Sequence, residues 1–258
     1  MPIKGIDKRR CNICQECIKE CVMSRFSLDE EENKISFNSE NCILCGHCIA
    51  ICPENAILYD DMKDTVLDIE EPSDSLSHDV LFKLIRSKRS VRRYKSKIVP
   101  NEIIEKIIES MRYAPTAINS RNLKCIIISG RKNIEEFTDS IIESIISEKE
   151  KENLKKSRVE GMNPFFYNAP HILILHSKNG WGEINATIAI TYAMLYAETL
   201  GLGSCWIGGI QKFFMNNKEK SKKILSIDDV IVGIMIFGYP AVKYKRAPPR
   251  PPLEVKEA

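Results

Sequence analysis

Apolar residues recur along this chain with distinct periods, and each period predicts a different kind of element. The stretch NEIIEKIIESMRYA, Asn101–Ala114, has the three-to-four spacing of an amphipathic helix, with Asn101 as N-cap and Glu102 in the first turn. VLFKLIRSKRS, from Val80, reads as a shorter amphipathic helix. Leu123–Ser129, His171–His176 and Val230–Phe237 are short β-branched apolar runs with the character of buried strands. Between them, Ile134–Lys156 is helical and heavily charged. Ile184–Leu200 is apolar nearly all round, which predicts a core or subunit-interface helix. It is too short to cross a bilayer comfortably, and Asn185, Thr187, Thr191 and Glu198 interrupt it. Strands spaced by helices predict an α/β or α+β domain over residues 79–258.

None of these periods governs the first 62 residues. Cys11, Cys14, Cys17 and Cys21 are followed by Cys42, Cys45, Cys48 and Cys52. Both runs read C-x2-C-x2-C-x3-C, with every cysteine repeated 31 residues later. Disulfides would suit a secreted domain, yet MPIKGIDKRR is no signal peptide. Zinc sites favour separated C-x2-C pairs. Three cysteines at this spacing suit one face of an iron–sulfur cube. Residues 1–62 resemble the bacterial ferredoxins that carry two [4Fe–4S] clusters. That resemblance implies crossed ligation: Cys11, Cys14 and Cys17 with Cys52, and Cys42, Cys45 and Cys48 with Cys21. Val22 stands where the first run of that family usually has proline.

Composition then narrows the setting. With 258 residues, 43% hydrophobic and 28% charged, the chain has the balance of a soluble globular protein. A net charge of +3 favours neither nucleic acid nor membrane as a partner. Only Cys125 and Cys205 lie outside the two runs, as expected for a reducing cytoplasm. Oxygen-sensitive clusters fit an anaerobe. Residues 63–78, within an acidic stretch from Asp61 to Asp79, read as a linker. KRAPPRPPLEV closes the chain as an extended tail.

The second domain opens on RSKRSVRRYKSK, Arg86–Lys97, with seven cations in twelve residues. Guanidinium forks and hydroxyls at a helix-to-extended junction suit one phosphate. A solvated basic face and a nucleic-acid patch are the alternatives. Three further segments join it: APTAIN at Ala114–Asn119, GLGSCWIGG at Gly201–Gly209 and RPPLE at Arg250–Glu254. In this order and at these separations, the four resemble the nitroreductase family of FMN enzymes.

That resemblance implies an α+β fold, a central mixed or antiparallel sheet flanked by helices, and a homodimer with FMN at its interface. It assigns Lys88, Arg89, Ser90 and Arg92 to the FMN phosphate or ribityl chain, with Arg250, or Arg246, returning from the tail. Pro115, Thr116 and Asn119 fall in the segment that meets the flavin. Trp206, Ile207, Gly208 and Gly209 form the turn whose amides face flavin N5 and O4. Lys88 replaces the usual leading arginine, and Ser120–Leu123 departs from the family sequence after Asn119.

No side chain is assigned as a catalytic acid or base, because the chemistry is the flavin's. GLGS follows a helix and lacks the third glycine of a dinucleotide fingerprint. His171 and His176 have no partner at motif spacing and read as structural; Cys125 and Cys205 read as small buried side chains. Phe165, Phe166 and Tyr167 suit either a flavin cover or the core. The expected function is passage of electrons from a low-potential donor, such as ferredoxin, through two [4Fe–4S] clusters to FMN. The flavin would then reduce a nitro compound or another electrophilic small molecule. A dehydrogenase working in the opposite direction and a non-catalytic redox relay are the alternatives.

Overall fold

The computed structural model describes residues 3–60, 67, 77–145, 147–159, 161–178 and 180–256. The acidic linker expected over 63–78 lies outside the described residues apart from Leu67, Ser77 and His78. The chain forms two compact units. One runs to Ser75 and takes in Thr116–Ser120; the other comprises Leu76–Pro115 and Arg121 onward.

The first unit is a duplicated β-α-β. It contains β1 (Ile3–Ile6), α1 (Glu16–Glu20), β2 (Phe26–Asp29), β3 (Lys34–Phe37), α2 (His47–Ile51) and β4 (Ile57–Tyr59). The second three elements repeat the first three at the offset of the cysteines. The pairing is crossed, because β1 pairs antiparallel with β4, and β2 with β3. Ile3, Phe26, Ile35 and Ile57 pack with Cys17 and Cys48 in one small core. A unit of this size buries little apolar area in its core.

The second unit contains α3 (His78–Ser87), α4 (Asn101–Arg112), β5 (Lys124–Ser129), α5 (Arg131–Glu143), α6 (Glu148–Val159), β6 (His171–Ser177), α7 (Gly182–Thr199), β7 (Gly203–Trp206), α8 (Gly208–Met215), α9 (Lys218–Leu225) and β8 (Val230–Gly238). Its sheet has the order β5-β6-β8-β7 and is antiparallel throughout. The α+β expectation therefore holds. β6 and most of β8 are buried on both faces, which explains why they read as unbroken apolar runs. Leu173, Leu175, Met235 and Phe237 meet α4 and α7 on one face. Ile172, Ile174, Ile234 and Ile236 meet α5 and α8 on the other.

A bulge between Leu175 and His176 on β6 skips Val232 of β8 and moves Ile231 to the α5–α8 face. α7 lies close on the sheet because Gly182, Ala186, Ala189, Ala193 and Ala197 line its buried side.

Several boundaries depart from the periodic reading. Pro100, not Asn101, is the N-cap of α4, and makes no side-chain cap bond. The single helix expected over Ile134–Lys156 is two, α5 and α6. β7 falls inside the segment read only as a glycine turn. Among the described residues no helix is long and apolar enough to cross a membrane.

Candidate functional site

In the first unit the repeat extends to backbone geometry. Ile13 and Gln15 adopt left-handed φ values of 60° and 64°, as do Leu44 and Gly46 at 53° and 80°. Ser24 and Asn55 match in the same way, at 52° and 48°. These turns give the two C-x2-C-x2-C segments the same curled path, and the non-glycine residues in them carry local strain. Cys11, Cys14, Cys17 and Cys52 line one small cavity. Cys17 is pushed up to about 11 by burial first, then by the neighbouring charges of Cys11, Cys14 and Cys52. Cys48 is likewise pushed up to about 11 by burial, then by Cys45, Cys42 and Cys21. The structure therefore brings the cysteines together in the two crossed sets.

A buried thiolate in either set needs positive charge beside it, which iron held by these cysteines would supply. Cys21 Sγ accepts the Arg25 N–H at 3.3 Å, and Cys52 Sγ accepts the Ala56 N–H at 3.3 Å. Amide-to-sulfur bonds of this kind tune cluster potential. Among the described residues no three Cys, His, Asp or Glu side chains are grouped to hold a single metal ion.

In the second unit two motifs meet through the backbone. Ser90 forms a parallel bridge with Ser204, and Val91 N–H donates to Ser204 O at 3.0 Å. A Cβ on Gly203 would lie 2.5 Å from Val91 Cγ2, so only glycine permits this approach. Arg92 is thereby set beside Trp206. Together they line a cavity of about 760 Å³, with Cys205–Ile210 on one wall and Phe165 and Tyr167 on another. That volume accommodates a drug-sized ligand.

The Arg92 guanidinium lies 5.7 Å from the centre of the Tyr167 ring. Ile207 N–H is occupied by Ile234 O at 2.8 Å, contrary to the expectation that it faces a ligand. Gly208 and Gly209 open α8, so their N–H groups are the ones left unsatisfied by the helix. A Cβ on Gly209 would meet nothing within 4 Å.

A second cavity, of about 660 Å³, brings Arg250 of the tail to Arg86, Lys88 and Arg89. Arg89 donates to the carbonyls of Lys88 and Arg86 at 2.5 and 2.6 Å, while its buried Nε has no partner. Ser204 Oγ is also buried without one. Lys88 turns inward, with Nζ 3.0 Å from both Arg89 O and Ser204 O. Burial holds its amine below the usual lysine range, opposed by Glu198. Ser90, Pro115, Thr116, Asn119 and Arg246 line neither cavity. Asn119 instead donates from Nδ2 to Ile43 O and Leu44 O, each at 2.9 Å.

The aromatic trio divides. Phe166 is fully buried, whereas Phe165 and Tyr167 face the cavity. Phe213 of α8, Lys220 of α9 and Asn217, the N-cap of α9, also line it, and no sequence motif marks them. The Lys220 amine lies 4.6 Å from the Phe213 ring centre. His176 does have a partner: its Nδ1 is 2.8 Å from Asp229 Oδ2. Cys205 is buried as expected, but Cys125 is exposed.

The Arg92–Gly209 cavity on an α+β sheet, in a chain with two crossed cysteine sets, points to a redox enzyme. Residues 85–239 match the nitroreductase family model, and residues 3–53 match the 4Fe-4S dicluster domain. The chain belongs to the nitroreductase family and is an oxidoreductase.

The nitroreductase with bound FMN from Bacteroides fragilis superposes with a TM-score of 0.56 at 23% identity, covering 70% of this chain and 100% of that one. At that identity the likeness shows the fold. The FMN reductase [NAD(P)H] of Bacillus subtilis is 25% identical over 198 residues, 66% of this chain and 70% of that protein. The iron-sulfur subunit of the nitrate-inducible formate dehydrogenase of Escherichia coli is 40% identical over 52 residues, 19% of this chain and 18% of that one.

Proposed function

We propose that the chain is an iron–sulfur flavoprotein holding two [4Fe–4S] clusters and FMN, which draws electrons from a low-potential donor such as ferredoxin. Its reaction is reduction of a nitro compound or another electrophilic organic molecule. The observation that carries this reading is the crossed grouping of eight cysteines in the same chain as the Arg92–Gly209 cavity. When bound, the flavin supplies hydride chemistry and the clusters supply single-electron steps.

The residues fit FMN. Arg89 Nε is a buried donor awaiting an acceptor, and Arg250 shares its cavity, as a phosphate site requires. Gly208 and Gly209 offer N–H groups at a helix start, where the dipole favours the negative charge of a reduced flavin. Arg92 adds a cation on the same wall. Phe165, Tyr167 and Phe213 supply apolar surface that excludes water from a planar ligand.

The chain works as a cytoplasmic homodimer in this reading. Val80, Leu81, Phe82 and Ile85 of α3, and Ile184, Tyr192 and Tyr196 of α7, are exposed, an apolar area a dimer would cover. The name of the Bacillus subtilis relative gives NAD(P)H as reductant, so the donor is the point to test.

Anoxic stopped-flow experiments comparing reduced ferredoxin, NADH and NADPH as flavin reductants decide it. Fast reduction by ferredoxin that disappears in Cys11→Ser and Cys42→Ser supports the reading. Fast reduction by NADH or NADPH in wild type and both variants overturns it.

A further inference from the structure

We propose that Asn119 is a positioning residue for the cluster of the second cysteine run, bracing the Cys42–Cys45 loop and raising that cluster's reduction potential above its twin's. The inference rests on the reading of the two runs as cluster ligands.

The duplicated loops are alike in backbone and differ in how they are held. In the first, Asn12 braces from within. Its Oδ1 accepts the Cys14 N–H at 3.1 Å, and its Nδ2 donates to Glu54 at 3.1 Å. The equivalent position of the second loop is Ile43, which has no amide to offer. The brace comes from elsewhere in the same unit. Asn119 Nδ2 donates to the carbonyls of Ile43 and Leu44, each at 2.9 Å. An amide nitrogen has two hydrogens, and both are used. Among the described residues no side chain donates to the carbonyls of Asn12 or Ile13, so this contact belongs to one loop only.

The backbone carrying Asn119 is bent to make the contact. Ile118 and Asn119 have φ values of 48° and 53°. For β-branched Ile118 that conformation is strained. Ile118 is also 76% exposed, so its side chain gains little in return. What the bend does achieve is to aim the Asn119 amide at the loop.

A donor on a peptide carbonyl polarises that peptide and makes its N–H the stronger donor. The peptides concerned carry the N–H groups of Leu44 and Cys45, at the centre of the cluster loop. In this proposal those N–H groups donate towards cluster sulfur, and stronger donation there favours the reduced, more negative state, which raises the potential. Among the described residues the loop of the first run has no such donor.

The test is an EPR-monitored redox titration of the anoxically purified holoprotein, with iron content measured in parallel, for wild type, Asn119→Asp and Asn119→Ala. Aspartate keeps the shape and removes the donors. The expected result is that one of two reduction steps moves to lower potential in both variants while the other stays in place. Selective loss of about half the iron from the variants, with one signal kept, supports the same assignment. Unchanged potentials, equal shifts of both steps, or loss of flavin alone overturn it. A wild-type protein without iron would instead sink the cluster reading itself.

Discussion

The ε-amino group of Lys88 lies 3.0 Å from the carbonyl oxygen of Ser204, the residue that also receives the Val91 N–H. The first basic residue of the phosphate-type motif therefore ties the end of α3 to β7. That division of labour within one short motif can be tested. Lys88→Met should lower stability by about 1–2 kcal/mol, the cost of leaving a buried carbonyl with one partner fewer. It should change the FMN dissociation constant by no more than about threefold, whereas Arg89→Ala should weaken FMN about tenfold or more. Urea unfolding and flavin-fluorescence titration give the two numbers. A large loss of FMN affinity in Lys88→Met alone would return Lys88 to the phosphate.

The crossed cysteine sets predict an unexpected address for damage. Cys52→Ser should disturb the cluster of Cys11, Cys14 and Cys17, not that of its own sequence neighbours Cys45 and Cys48. Iron content should fall by up to about half, and the surviving EPR signal should match that of Cys14→Ser. A Cys52→Ser spectrum that matches Cys45→Ser would show uncrossed ligation.

Gly209 is open to the cavity and makes no close contact of its own. Gly209→Val should leave the melting temperature within a few degrees, since no neighbour has to move. Flavin retention should fall steeply, because the branched side chain would fill the space of a bound ring. Absorbance at the flavin band and differential scanning calorimetry on the same preparation separate the two effects. Equal flavin content in wild type and variant would place the ring elsewhere.

His171 makes stability depend on pH. It is fully buried and stacks on Phe237. Its Nε2 accepts the Val99 N–H at 2.9 Å, and Nδ1 faces Ser129 Oγ at 2.8 Å, an arrangement that needs the neutral ring. Burial pushes its pKa down to about 4. An unfolded chain takes up the proton near its ordinary value of about 6.5, and the folded chain only near 4. The stabilising contribution is therefore complete above about pH 6.5 and drains away as the pH falls towards 4. The total is roughly 3 kcal/mol if the ring stays buried throughout. Trp181 and Trp206 both lie in this unit, so their fluorescence follows its unfolding in urea at pH 7 and pH 4.5. In His171→Gln the difference between the two pH values should shrink by that contribution.

The buried strands were legible because β6 and β8 are covered on both faces, leaving apolar runs that no helix period fits. β7 was not, because GSCW is four residues long and its glycine is there for the approach of Val91, which lies 112 residues away. Cys125 looked like a core residue because its strand is apolar; that β5 is an edge strand follows only from the sheet order. The pairing of His176 with Asp229 spans 53 residues and depends on the β6–β8 register. The cysteine sets were legible because the spacing of ligands along the chain is itself part of cluster geometry. The bond from Asn119 to the Cys42–Cys45 loop was not, since it joins two segments with no common pattern.

Every described strand of the first unit finds its partner in the opposite copy, and so does one thiol of each cysteine set. The two halves are interlocked, not placed side by side. A protease cut in the Glu30–Asn33 turn, followed by separation of the pieces, would leave zero complete ligand sets and not one. Neither copy holds a complete set alone, so damage to one half reaches both sets at once.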